Sequence, residues 1–158
     1  MLQTARRDKM LQQERHDVYR NRGKYAEPTV CSGCGAVFLG GRWSWGAPPK
    51  GAVRAACPAC RRIADRFPAG RIELSGEFLR DHREEILNLV RNAEDAEKSE
   101  RPMERIMAIT EEGGRALVTT TGIHVARRIG EALSRSYQGE LDYRYGDGED
   151  SIRVTWAR

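Results

Sequence analysis

An α+β protein in two parts is what this sequence predicts: a small four-cysteine module, then a ferredoxin-like βαββαβ domain with an additional C-terminal strand. Three observations lead there. Cysteines stand at Cys31, Cys34, Cys57 and Cys60, a Cys-x2-Cys-x22-Cys-x2-Cys spacing inside a stretch rich in Gly, Pro and aromatics. Beyond residue 69 the apolar residues switch repeatedly between strand-like and helix-like spacing. The 158 residues suffice for a metal-stapled module and a second core of roughly 90 residues.

Residues 1–28 read as a basic mobile arm. Leu2, Met10, Leu11 and Val18 are too sparse for an apolar stripe. The segment is therefore expected to order only on a partner, as a helix around residues 3–20. Gly23 to Pro28 breaks the pattern, and residues 29–68 form the metal module, with short strand-like runs between turns. Residues 69–158 form the second domain.

That domain opens on the strand RIELSG, with Ile72 and Leu74 on one face. From Glu77 to about Ser99, Phe78, Leu79, Ile86, Leu87, Leu89, Val90 and Ala93 recur at helical spacing, with Glu77 and Asp81 where the helix dipole favours acids. After Pro102, strands over 104–110 and 115–121 flank a Glu111-Glu112-Gly113-Gly114 turn. Thr121 is placed to cap a helix whose inner face is Ile123, Ala126, Ile129, Ala132 and Leu133, stopped by Gly139. Leu141, Tyr143 and Tyr145 alternate, the chain turns at Gly146-Asp147-Gly148, and Ile152, Val154 and Trp156 alternate again.

The cysteine spacing carries the chemistry. Two residues between cysteines let both sulfurs reach one ion at about 2.3 Å, and two such knuckles close a tetrahedron. Gly33 and Gly35 let the first knuckle turn, and Pro58 and Ala59 stiffen the second. Four thiolates leave no open coordination position, so one structural Zn2+ in a zinc-ribbon or treble-clef-like module is expected, with rubredoxin-like iron as the competing ion. Redox use would need a pair opening a helix in a thioredoxin-like βαβ unit, and neither pair reads that way.

Charge is unevenly placed. Residues 1–30 hold seven Lys/Arg against four Asp/Glu, residues 31–70 six against one, and residues 71–158 fourteen against eighteen. A basic first part of this kind suits a polyanion. Arg61, Arg62 and Arg66 follow the second knuckle, with 62 and 66 expected on one helical face. Between the knuckles Arg42, Trp43, Trp45, Lys50 and Arg54 interleave cations with aromatics, which suits backbone contact and base stacking, although one tryptophan is expected to plug the module's core. His124, Arg127 and Arg128 stand at a helix N-terminus, where anions are favoured. No catalytic triad is legible, because His16, His82 and His124 are scattered, so no enzyme activity and no small-molecule substrate are expected. The acidic run Glu94, Asp95, Glu97, Glu100 reads as a solvated helix end. No run approaches the ~18 apolar residues of a membrane span and no signal-peptide core is present, so a cytoplasmic protein without membrane contact is expected.

With CSGCG, CPACRRI, the strand RIELSG, TTGIHVARRIGEAL, ELDYRY and a closing VTW strand, residues 29–158 resemble the large-ribosomal-subunit export adaptor family, the nonsense-mediated decay protein three type, and its small bacterial relatives. The resemblance implies Cys31, Cys34, Cys57 and Cys60 as ligands and Arg61 and Arg62 as residues facing RNA. One pair of knuckles stands where full-length relatives have more, so nuclear export is not implied.

The expectation is a small ribosome-associated, rRNA-binding zinc protein, with ribosomal proteins as further contacts, acting on idle ribosomes or in subunit assembly. The alternative is a zinc-dependent DNA-binding or protein-bridging transcription regulator, which would need a recognition helix. An enzyme binding a phosphorylated ligand near His124 would need a pocket of convergent polar groups.

Overall fold

The computed structural model describes residues 25–158, so the expected arm lies outside the described residues except for its last four. In the first part β1 (Thr29–Cys31), β2 (Val37–Leu39), β3 (Arg42–Ser44) and β4 (Val53–Ala55) form one sheet in the order β3-β2-β1-β4. β1 is antiparallel to β2, and β4 runs parallel to it with Cys31 opposite Ala55. Tyr25, Phe38 and Trp43 pack under this sheet, with the Tyr25 and Trp43 rings edge-on at 5.1 Å. Trp43, 8% exposed, is thus the tryptophan that plugs the module. Helix α1 (Pro58–Asp65) follows, with Cys57 as its N-cap and Pro58 at the first turn, where the missing N–H costs nothing. It stops at Arg66, which is left-handed (φ 53, ψ 43), so Arg62 and Arg66 do not share a helical face as expected.

The second part is β5 (Gly70–Ser75), α2 (Glu77–Asp81), α3 (Arg83–Glu100), β6 (Ile106–Glu112), β7 (Arg115–Thr120), α4 (Ile123–Tyr137), β8 (Glu140–Tyr145) and β9 (Ile152–Ala157). Its strands make a mixed sheet in the order β6-β7-β5-β9-β8, in which β5 and β9 are parallel and the other neighbours antiparallel. The final hairpin does add a fifth strand, but the last strand, β9, takes the inner place beside β5 and β8 is the edge. Strand register puts Val118, Ile72 and Val154 directly opposite one another on the neighbouring strands β7, β5 and β9. They form one core with Ile86 and Val90 of α3, Val125, Ile129 and Leu133 of α4, and Trp156. Each such aliphatic contributes about 1.5–3 kcal/mol over leaving it in water. Arg71, Glu73 and Arg153 alternate to the opposite, exposed face.

Several local expectations are corrected. The helix expected from Glu77 to Ser99 breaks at His82 (φ −123, ψ 28), whose ring stacks on Phe78 at 4.1 Å. Phe78 is tied instead to Arg158, whose carbonyl accepts its amide at 2.9 Å, so α2 is anchored at the end of β9 and cannot run on in line with α3. Strand β6 starts at Ile106 rather than 104, because the Glu104 amide donates to the Arg101 carbonyl at 3.0 Å in a turn and the Arg105 amide to the Thr121 hydroxyl at 2.9 Å, outside the strand ladder. Thr121 does not cap α4; its hydroxyl donates to the Met103 carbonyl at 2.6 Å and accepts from the Arg105 amide at 2.9 Å. The cap is the Glu104 carboxylate, which accepts from the Val125 amide at 3.0 Å. Gly122 makes this possible, since any Cβ there would collide with that carboxylate. The acidic run is not wholly solvated either: Glu97 is 6% exposed, and Glu94 accepts the Ile106 amide. Among the described residues no helix is long and apolar enough to cross a membrane.

Candidate metal centre

The β1–β2 turn supplies Cys31 and Cys34, and the start of α1 supplies Cys57 and Cys60. Because β4 runs beside β1 in register, its end carries Cys57 to the first knuckle. The four sulfurs lie within 4.8 Å of one another, and none is in a disulfide. Cys31 Sγ and Cys60 Sγ are 3.7 Å apart, and Cys34 Sγ and Cys57 Sγ 3.8 Å. A tetrahedral ion with bonds of about 2.3 Å needs sulfur–sulfur edges of about 3.8 Å. The cluster therefore fits one metal ion with the sulfurs in place, and Gly33 lets the knuckles close, since its would-be Cβ lies 3.1 Å from Cys60 Sγ.

Backbone amides orient these sulfurs. Gly33 N and Cys57 N donate to Cys31 Sγ at 3.3 and 3.2 Å, and Cys60 N to Cys57 Sγ at 3.3 Å. Burial pushes the Cys31 thiol up, but the amides of Cys57, Cys34 and Gly33 outweigh it and hold the group at about 6. Burial dominates at Cys57 and Cys60, whose thiols lie above their usual range. The second pair opens α1, the helix expected to leave that knuckle. That is not a thioredoxin-like setting, because the strands flanking α1, β4 and β5, belong to different sheets.

The residue that sequence reasoning missed is Arg105. It comes from the α/β domain, is 7% exposed, and donates through Nη2 to Cys34 Sγ at 3.0 Å and Cys57 Sγ at 3.2 Å, and through Nη1 to Cys60 Sγ at 3.4 Å. Burial pulls the guanidinium down, but the thiol sulfurs outweigh it and keep it charged. Four thiolates around a dication carry a net double negative charge, and one buried guanidinium halves it. The only signal in the sequence was a Glu-Arg pair set between Met103 and Ile106, which reads equally well as a strand's solvent face.

The nucleic-acid candidates separate into two groups. On the metal module Arg42, Lys50, Arg54, Arg61 and Arg66 are exposed. Arg62 donates to the Phe67 carbonyl at 3.2 Å and lies over its ring. Trp43 is core, while Trp45, 38% exposed, donates its indole N–H to the Lys98 carbonyl at 2.7 Å. On α4 His124 is exposed, Arg127 pairs with Glu131 at 3.2 Å, and Arg128 donates to Glu97 at 2.8 Å. These three border a shallow groove between α3 and α4 of about 720 Å3, apart from the metal module's cations.

No protein-family model, no curated protein and no solved structure matches the chain. The geometry of the site carries the functional reading.

Proposed function

We propose that the chain is a small non-catalytic zinc protein that associates with ribosomes by binding ribosomal RNA through its metal module. The observation that carries this is the excess of exposed cations on the metal module, where residues 31–70 hold six Lys/Arg against one Asp/Glu. On the metal module Arg42, Lys50, Arg54, Arg61 and Arg66 are exposed and form no ion pair among the described residues. On the α/β domain, where acids outnumber bases, six of the fourteen Lys/Arg, namely Arg83, Arg101, Arg127, Arg128, Arg144 and Arg153, have a carboxylate partner. A rigid surface of unneutralised arginines attracts a polyanion and positions guanidinium forks for phosphates. The second part, with more acids than bases, would then contact ribosomal protein or cover the bound module.

Zinc is the ion proposed, since a closed set of four thiolates suits it and offers no position for catalysis. On this reading the module is of the zinc-ribbon or treble-clef type, and the second domain is ferredoxin-like with β8 added at its edge. The likeness of CSGCG and CPACRRI to the export adaptor family and its small bacterial relatives supports the same reading, with action on idle ribosomes or in subunit assembly, in the cytoplasm.

Sedimentation of a cell lysate tests it. At low salt the protein should travel with large subunits or whole ribosomes, and at high salt it should move towards the top. Replacing Arg42, Arg54 and Arg61 together by Glu should weaken that association while zinc stays at one per chain. Each phosphate left without its cation lowers the salt slope by about 0.7–0.9. A position at the top of the gradient in every growth phase overturns the reading.

A further inference from the structure

We propose that the four-cysteine centre is also the joint between the two parts of the chain, so that ion binding and docking of the α/β domain are one coupled equilibrium, with Arg105 as the positioning residue. This rests on the centre holding zinc and is independent of RNA binding.

Arg105 is fixed from the α/β side. Its amide donates to Thr121 Oγ1 at 2.9 Å, its carbonyl accepts the Thr121 amide at 2.8 Å, and its Nε donates to the Pro102 carbonyl at 2.7 Å. What remains of the guanidinium, Nη1 and Nη2, is turned onto Cys34, Cys57 and Cys60 of the other part. A cation 7% exposed is tolerable only against matching negative charge. The four cysteines would supply that charge, because sulfurs bound to a metal are thiolates and outweigh the charge of a dication.

A second contact at the joint has its own cause. Lys98 lies in the last turn of α3, and the residue four positions on, whose amide would bond its carbonyl, is Pro102, which has no N–H. The orphaned carbonyl accepts the Trp45 indole N–H at 2.7 Å instead. The Trp45 ring also lies 6.0 Å from the Arg105 guanidinium, and Met103 packs against the module's aromatic core. Trp45, Arg105 and Met103 thus close one seam whose centre is the sulfur cluster.

Coupling between two binding events is reciprocal: the factor by which docking raises zinc affinity is the factor by which zinc strengthens docking. Removal of a partner that donates to metal ligands costs about 10–100-fold in metal affinity. Arg105 joins three ligands to the other domain, so its loss should fall in that range.

The test uses the full chain loaded with zinc. NMR follows the indole N–H resonances of Trp45 and Trp156 and the exchange of the Arg105 and Thr121 amides, before and after a chelator removes the ion. The Trp45 resonance should shift and both amides should exchange faster, while Trp156, buried in the other core and bonded to the Gln138 carbonyl at 2.6 Å, stays in place. In chelator competition Arg105→Ala should bind zinc about 10–100-fold more weakly, and Arg105→Lys, which offers a point charge for a fork, should fall between. Were Arg105→Ala to lose the Trp156 resonance, and so its fold, Trp45→Phe takes its place and should weaken zinc binding several-fold. Unchanged Trp45 and amide exchange on zinc removal, or unchanged zinc affinity in the folded variant, overturns the proposal. Ribosome association enters neither readout, so failure here leaves the RNA reading standing.

Discussion

Glu104 and Arg105 are neighbours in the chain that serve different units: Glu104 accepts the Val125 amide at 3.0 Å to cap α4, and Arg105 reaches Cys34 Sγ at 3.0 Å in the metal module. One dipeptide thus ties the α/β core and the sulfur cluster to the start of β6. Both side chains are ionisable, and each is buried against a group of complementary polarity.

The Glu104 cap has a pH signature. Burial pushes its carboxyl above the usual 4.5; the Val125 amide and His124 pull it back, Glu97 pushes with the burial, and Arg101 opposes it. The folded chain therefore holds this proton more tightly than the unfolded one. The stability this provides is fully present below the unfolded value and is lost as pH rises through the folded value. Glu104→Gln keeps an acceptor and removes the titration. The stability of wild type relative to that variant, from urea midpoints at matched pH, should fall as pH rises from about 4.5. A flat difference would show that the carboxyl does not titrate differently on folding. Glu104→Ala, which leaves the cap empty, should cost about 1–2 kcal/mol.

Cys57→Ser separates the ion from the helix it introduces. Serine is itself a favoured N-cap, so α1 keeps its start, but the ion loses a thiolate. The variant should retain far less than one zinc per chain by elemental analysis. The α/β domain should still unfold as a cooperative unit, because none of its core residues belongs to the module. Full zinc retention in Cys57→Ser would remove this cysteine from the ligand set.

Trp156 reports the second core. Its ring is fully buried, and its indole N–H donates to the Gln138 carbonyl at 2.6 Å, where α4 ends. Trp156→Phe keeps much of the volume and loses that bond, for about 1 kcal/mol; Trp156→Ala opens a cavity, for about 3–5 kcal/mol. Thermal or urea unfolding distinguishes the two, and equal costs would mean the bond rather than the packing dominates.

What was legible in the sequence is what is local. Ile72 with Leu74, and Ile152 with Val154 and Trp156, announce strands because their period of two is written in adjacent residues. The cysteine pairs announce a metal knuckle because each closes within four residues. Other features depend on partners far along the chain. Arg105 and Cys34 are 71 residues apart, and no property of either alone marks the contact. Glu94, Glu97 and Glu104 look like surface acids because polarity is read one residue at a time, whereas their burial depends on which donors the fold delivers. The place of β9 inside β8 is likewise set by sheet order, which a hairpin's own residues leave open.

Glu97 offers a test of which surface meets RNA. It lies on α3 and accepts Arg101 Nη1 at 3.2 Å and Arg128 Nη1 at 2.8 Å, joining α3 to α4. The carboxylate is buried while both arginines are about half exposed, so solvent can take over the guanidiniums when the acid is removed. Glu97→Ala should therefore cost only about 1–2 kcal/mol of stability. It also releases Arg101 and Arg128 at the groove that His124 and Arg127 border. If RNA is bound through the metal module, association should be unchanged in this variant and fall in the Arg42, Arg54 and Arg61 triple variant. If α4 is the RNA-binding face, Arg128 must leave Glu97 to reach a phosphate. Glu97→Ala would then tighten binding and steepen its salt dependence by about 0.7–0.9 for each further phosphate neutralised. Salt titrations of binding to ribosomal RNA, run on the two variants side by side, decide between the surfaces.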